Sequence, residues 1–341
     1  MTGRGRHDAL VGVVWLLALL CGGCAMINAF EDPPQDGKPA DAPCSEDAQC
    51  PDGQNCQEDQ CVPADDPCEG LRLPPNQQCL APGTFTMGSP QDEIGRDALH
   101  EVPTEVTLTH ALLIQTTEVT QAQWGQHFEL NPSFHADCPQ CPVELVNWWE
   151  ALQYLNALSS AEGLPGCYFL SQCQGDVGVQ CSGCEQKFRC RSVRFEGIEC
   201  QGWRLPTEAE WEYATRAGST EAFYSGPITD PEQDSALDDT AWYAATAGDT
   251  TQEVGQLRPN AFGLYDTHGG VFEWVWDRFA PYAAGPLTDP TGPDPFDTLQ
   301  VIRGGSYRST AAVCRSAARA VANPDLGDRD IGLRPVRTVV R

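Results

Sequence analysis

Positive charge is scarce in this chain of 341 residues: 21 Lys and Arg stand against 48 Asp and Glu, a formal net charge of −27. Nucleic acid is therefore excluded as a partner, because its phosphates demand a basic face. The acidic residues are spread through loops rather than gathered in one block, a pattern that serves solubility first. Long apolar runs are also lacking. The one candidate, Val11 to Leu20, is too short to span a bilayer comfortably. After Gly218 no long periodic segment remains; Gly, Pro, Asp and aromatic residues take over. Such a chain cannot be a helical bundle, and it predicts few helices, short strands and long ordered loops.

Cysteine, by contrast, is plentiful, with 17 residues, far too many for a reducing cytosol. The N-terminus agrees with export. Arg4 and Arg6 precede the apolar run, and Gly22-Gly23-Cys24-Ala25 follows it. This resembles a bacterial lipobox, so residues 1–24 read as a lipoprotein signal peptide with Cys24 lipidated; simple secretion is the alternative, because Cys21 stands where the pattern prefers Leu. The expected partner is then a membrane reached through the N-terminal lipid. Ala25, rather than Asp, after that Cys implies a cell-envelope protein displayed at the outer membrane. Residues 25–43 are rich in Pro, Asp and Gly and read as a disordered tether.

Of the fifteen other cysteines, six fall from Cys44 to Cys79, eight from Cys138 to Cys200, and Cys314 stands alone. Two even clusters and one odd residue predict seven disulfides, formed within the clusters, and one free thiol. Residues 44–79 have almost no core-forming side chains, so bridges must order them; without His or paired C-x-x-C, zinc is disfavoured there. Cys138-Pro139-Gln140-Cys141 and Cys181-Ser182-Gly183-Cys184 are both C-x-x-C. Together they make either a zinc ribbon or disulfides, and export favours disulfides.

The main domain runs from 80 to 341. Thr104 to Gln115 alternates like a strand, and Thr120 to Leu130 and Asn147 to Ser160 read as capped amphipathic helices. Thr207 to Ala217 is the third helix, with Thr207 and Glu210 forming a capping box. An insert with six Cys, Gly166 to Gln201, separates the second helix from the third. Periodicity alone gives the class α+β.

Several segments carry a resemblance. Gly202-Trp203-Arg204-Leu205-Pro206-Thr207-Glu208-Ala209-Glu210-Trp211-Glu212-Tyr213-Ala214 resembles the central motif of the formylglycine-generating enzyme family, the sulfatase-modifying factors. Gly83 to Ser89, Glu118-Val119-Thr120, Pro142 to Trp148, Asn260 to Asp266, Arg303-Gly304-Gly305-Ser306-Tyr307, Arg315 to Arg319 and Ile331 to Arg334 resemble its other blocks, in family order. The resemblance implies a C-type-lectin-like fold with little regular secondary structure. It also implies an oxidase that converts a sulfatase Cys to formylglycine with copper(I) held by two Cys. Here Ser309 occupies the first Cys position. Cys314 is the one candidate for the second, and the Arg315-to-Arg319 anchor matches it better to an apolar position. A hydroxyl does not replace a thiolate on copper(I), which needs two soft ligands.

The family's structural calcium loop maps onto Asp266 and Glu273 side chains with carbonyls of Gly269 and Val271, a hard-oxygen set that suits calcium; a plain hydrogen-bonded turn is the alternative. The region where family enzymes bind substrate maps onto Arg303, Ser306, Arg315 and Arg319, with Ser306, Tyr307 and Phe272 the better pocket candidates; Arg319 and Arg334 read rather as partners of buried carboxylates. Iron-dependent relatives use an H-x3-H-x-E motif, and none of His7, His100, His110, His127, His135 or His268 shows that spacing. The expectation is a calcium-stabilised surface domain that binds a protein or small-molecule ligand and lacks the catalytic Cys pair. A formylglycine-generating oxidase using copper and an iron-type modifying enzyme are the alternatives.

Overall fold

The computed structural model describes residues 54–57, 60–63, 67–293 and 299–339. The expected signal segment 1–24 with Cys24, the tether 25–43 and much of the 44–79 module lie outside those residues. The chain divides into two units between residues 64 and 65. In the smaller, β1 (Gln54–Gln57) and β2 (Gln60–Pro63) pair as an antiparallel hairpin.

The larger unit begins with β3 (Gln77–Leu80), β4 (Gly83–Met87), β5 (Thr104–Leu108) and β6 (Leu112–Gln115). Helices α1 (Gln121–Trp124) and α2 (Trp148–Ala161), the hairpin strands β7 (Tyr168–Ser171) and β8 (Ser192–Phe195), and α3 (Glu208–Arg216) follow. Strands β9 (Phe272–Arg278), β10 (Leu287–Thr288), β11 (Gln300–Arg303), β12 (Ala320–Ala322), β13 (Ile331–Gly332) and β14 (Val336–Thr338) complete it. Four small sheets result, ordered β14-β6-β3, β10-β5-β4, β12-β11-β9-β13 and β7-β8. This is the expected α+β architecture with little regular structure.

Two sequence expectations differ from the structure. The segment Thr104 to Gln115 is not one strand. Thr109 donates from its amide and hydroxyl to the Asp289 carboxylate, which turns the chain and sends β5 and β6 into different sheets. The helix expected from Thr120 to Leu130 stops at Trp124. Its capping box forms, but Gly125 ends it and the Trp124 indole donates to the Leu130 carbonyl at 2.9 Å, folding the chain back. The other two helices start at their expected caps, Asn147 and Thr207, each with a complete capping box.

The main core gathers Trp124, Trp148, Tyr154, Trp203, Trp274 and their neighbours between α2 and the four-stranded sheet. Helix α3 departs from an amphipathic surface helix, because Glu208, Glu210, Glu212 and Arg216 are all buried. Each acid meets an arginine. Arg204 grips Glu210 at 2.6 and 2.7 Å, Arg216 holds Glu212 at 2.8 Å, and Arg319 grips Glu208 at 2.6 and 2.8 Å. Buried ions persist only when paired in this way.

Among the described residues five disulfides form: Cys68–Cys79, Cys138–Cys141, Cys167–Cys200, Cys173–Cys190 and Cys181–Cys184. All lie within the two clusters, and both C-x-x-C pairs close on themselves rather than around a metal. The sequence puts Cys79 in the Cys-rich module. The structure puts the Cys68–Cys79 bridge in the larger unit, because β3, which carries Cys79, pairs with β6.

Candidate functional site

The loop after β11 sets the geometry of the position where the family resemblance expects a catalytic Cys. Gly304 and Gly305 both have positive φ, and a Cβ at Gly305 would come within 2.6 Å of the Cys314 sulfur. The turn therefore presses directly on that thiol. Cys314 is fully buried in an apolar cluster with Phe223, Leu237 and Tyr243, and it is the free cysteine among the described residues. Burial pushes its thiol up to about 12, which favours the neutral thiol over the thiolate.

Ser309 faces oxygen and nitrogen instead. Its hydroxyl accepts from the Ser306 amide at 3.0 Å and lies 3.2 Å from the Ser306 hydroxyl. Ser306 donates to Asp330 at 2.9 Å. Tyr307 places its hydroxyl 3.0 Å from His135 Nε2, and His135 Nδ1 lies 3.1 Å from the Thr250 hydroxyl. Below them Glu144, fully buried, accepts from the His135 amide at 2.7 Å through Oε1, while Oε2 has no partner. Burial lifts Glu144 to about 7 and raises Asp330.

Of the expected ligand residues, Ser306 and Tyr307 thus stand together in one polar cluster. Phe272 adjoins it through its amide, which donates to the Asp330 carbonyl at 2.8 Å. Arg303 belongs elsewhere: it is fully buried and held by Glu208, Glu212 and the carbonyls of Ser316 and Ala317. Its guanidinium is a structural tie under α3. The sequence does not single out Glu144 or Asp330; both sit in loops without periodicity, and only the fold brings Asp330 to Ser306 and Glu144 to His135.

The loop from Asp266 to Glu273 forms a second cluster. Asp266, Gly269 and Gly270 all have positive φ. Asp266 Oδ2 accepts from the Gly255 amide at 2.6 Å, while Oδ1 is buried without a partner. Both oxygens of Glu273 are engaged, Oε1 by Arg334 at 2.7 Å and Oε2 by the Trp211 indole at 2.7 Å. Glu118, missed as a site residue because its motif reads as a helix start, points into the same place. Its Oε2 is partnerless and lies 3.9 Å from Arg334. Two buried carboxylates, Glu118 and Glu273, therefore share the Arg334 guanidinium, with the buried Asp266 near them. Burial, reinforced by the Asp266 charge, pushes Glu118 well above the usual range, and burial lifts Asp266 to about 6.

Asp266 and Glu118 thus fit a hard cation through their two partnerless oxygens, whereas the Glu273 oxygens are committed to protein donors. Among the described residues no group of three or more His, Cys, Asp or Glu side chains stands ready to hold a metal. A cation here would need backbone carbonyls or water to complete its shell.

With this geometry in place, the relatives decide the family. Residues 69–339 match the sulfatase-modifying factor enzyme 1-like domain. The chain belongs to the sulfatase-modifying factor family. This sulfatase-modifying factor homologue is 32% identical over 246 residues to the chaperone protein LppX of Paenibacillus barcinonensis, covering 65% of this chain and 78% of that protein. It is 38% identical over 151 residues to the formylglycine-generating enzyme of Streptomyces coelicolor, covering 39% of this chain and 46% of the enzyme, less than half its length. Among solved structures it is similar to Treponema denticola variable protein 1, with TM-score 0.63, 29% identity and coverage of 76% and 94%. It is also similar to PvdO from Pseudomonas aeruginosa, with TM-score 0.59, 25% identity and coverage of 77% and 94%.

Proposed function

We propose that this sulfatase-modifying factor homologue is a ligand-binding or protein-binding domain without formylglycine-generating oxidase activity. One observation carries the reading: Ser309 stands where the first catalytic Cys is expected, and the free thiol of Cys314 is sealed in an apolar cluster behind Gly305. Copper(I) needs two thiolates, and these residues do not supply them. The polar cluster of Ser306, Tyr307, His135, Asp330 and Glu144 is the better ligand contact, because it combines donors, acceptors and an unfilled carboxylate oxygen.

The test is direct. Purified protein, loaded with copper and given a sulfatase-motif peptide and a reductant, should leave the peptide Cys intact by mass spectrometry. Aldehyde formation lost in Cys314→Ser would replace this reading with the oxidase one, which the likeness to formylglycine-generating enzymes supports. The iron-type reading has less behind it, since His135 is the one histidine in the polar cluster.

Calcium is proposed as a structural ion held by Asp266 with Glu118, Gly269 and Val271. Glu273, in place of a direct ligand role, orients Arg334 beside them. Attachment through a lipid on Cys24, with display at the outer membrane, is proposed from the sequence, and Cys24→Ser should move the protein to the soluble fraction.

A further inference from the structure

Away from both clusters, a cavity of about 320 Å³ opens between the start of α3, the end of β9 and the loop 280–293. Its apolar wall includes Met87, Ala209 and Leu287, and Tyr282 and Asp277 supply polar groups. The volume sits at the small end of ligand pockets. Arg278 lines both this cavity and a neighbouring one and so marks their junction.

The charges on the wall are not equally free. Glu208 is held by Arg319 at 2.6 and 2.8 Å and by Arg303 at 3.2 Å. Arg319 spends its other donors on the Ala280 and His100 carbonyls, and aromatic rings of Phe279 and Tyr282 cover its face. Glu208 and Arg319 are thus committed first to each other and to these neighbours. Asp277 differs. It is 5% exposed and accepts one hydrogen bond, from the Glu208 amide at 2.8 Å. Burial, reinforced by the nearby Glu208 charge, raises its carboxyl well above the usual range. The Tyr282 hydroxyl is buried and has no hydrogen-bond partner among the described residues. Among the described residues Asp277 has one hydrogen bond and no ion pair, and a buried acid of that kind beside an apolar chamber suits a donor that also carries positive charge.

We propose that this cavity binds an alkylammonium group: a primary amine on a short apolar body, its ammonium donating to Asp277 and its carbons lying against Met87, Ala209 and Leu287. The cation relieves the repulsion between Asp277 and Glu208, while the carbons leave water. Charge separates this ligand from its neutral and anionic analogues of equal length. The inference stands apart from the calcium and oxidase questions, since it shares no residue with either cluster.

Hexylamine, hexan-1-ol and hexanoate titrated into the full chain by calorimetry test it. Saturable binding is expected for the amine, at least about tenfold tighter than for the alcohol, with none for the acid. Asp277→Asn should weaken the amine about tenfold while leaving the alcohol unchanged. Leu287→Trp, at the half-buried wall, should block the amine without touching the acid, and it decides the matter if Asp277→Asn fails to fold. Equal affinity for amine and alcohol, tighter binding of hexanoate, amine binding that survives Leu287→Trp, or no saturable binding of the amine up to about 10 mM would each overturn the proposal.

Discussion

Replacing Glu144 by Gln should stabilise the protein in neutral and basic solution and much less in acid. Glu144 is fully buried, with one oxygen bonded to the His135 amide and the other without a partner. Burial raises its folded value from 4.5 to about 7. A carboxyl whose folded value is raised holds its proton more tightly in the native state. Stability is therefore lost as pH rises from about 4.5 towards 7, and the loss is complete above 7. That interval corresponds to roughly 3 kcal/mol above pH 7 and about 1 kcal/mol at pH 5. Glutamine keeps the Oε1 acceptor for His135 and removes the charge. Between pH 5 and pH 8 the variant should gain roughly 2 kcal/mol on wild type. Urea unfolding at several pH values, followed by tryptophan fluorescence, reads the difference. Parallel stability curves for variant and wild type across that range would show that Glu144 is solvated or already neutralised, and the reasoning would fail.

Removing Arg303 strands two buried carboxylates, each of which keeps another arginine, so Arg303→Met should cost about 3 kcal/mol and lower the melting temperature by roughly 5–10 °C; adding Glu212→Gln should recover part of it, and simple additivity would refute the network. Chelation should lower the melting temperature of wild type by about 5 °C if calcium is present well above its dissociation constant, and Asp266→Asn and Glu118→Gln should abolish that response; an indifferent wild type means the loop is only a turn. The Cys314 thiol should resist iodoacetamide in the native protein and react only after denaturation, and rapid native alkylation would contradict its burial. Thr207→Ala should cost about 1 kcal/mol through the lost cap of α3, measured by urea unfolding.

Local signals in the sequence located α2 and α3 well, because capping boxes act over four residues and need no tertiary partner. Arg319 and Arg334 were also legible as partners of buried acids, since a motif that carries arginine among small apolar residues has no solvent face to offer it. Less visible was where a periodic run would be cut. Asp289 turns the chain at Thr109 from 180 residues away, and nothing near Thr109 announces that bond. The candidate sites were read by half. Asp266 announces itself beside two glycines, but Glu118 joins it across 148 residues, from a segment whose own pattern says helix start. Arg303 illustrates the opposite error: a residue in a signature motif looks like a ligand contact until its guanidinium is found under α3.

The arginines near the C-terminus have a consequence for how the chain is made. Arg315 reaches Glu101 over 214 residues, Arg334 reaches the Gln115 carbonyl over 219, and β14 pairs with β6. Synthesis delivers Glu101, β6 and Glu208 long before Arg315, β14 and Arg319 exist. Until the last stretch is added, those carboxylates have no partner worth leaving water for, and the central tryptophans have no complete wall. The domain is thus built to remain open while it grows and to shut in one late event, like a box whose clasps are all on the lid. A product shortened by even its final strand should stay open and fall to proteases, and a chain that has to pass through a membrane before folding would gain its delay from the order of its own residues.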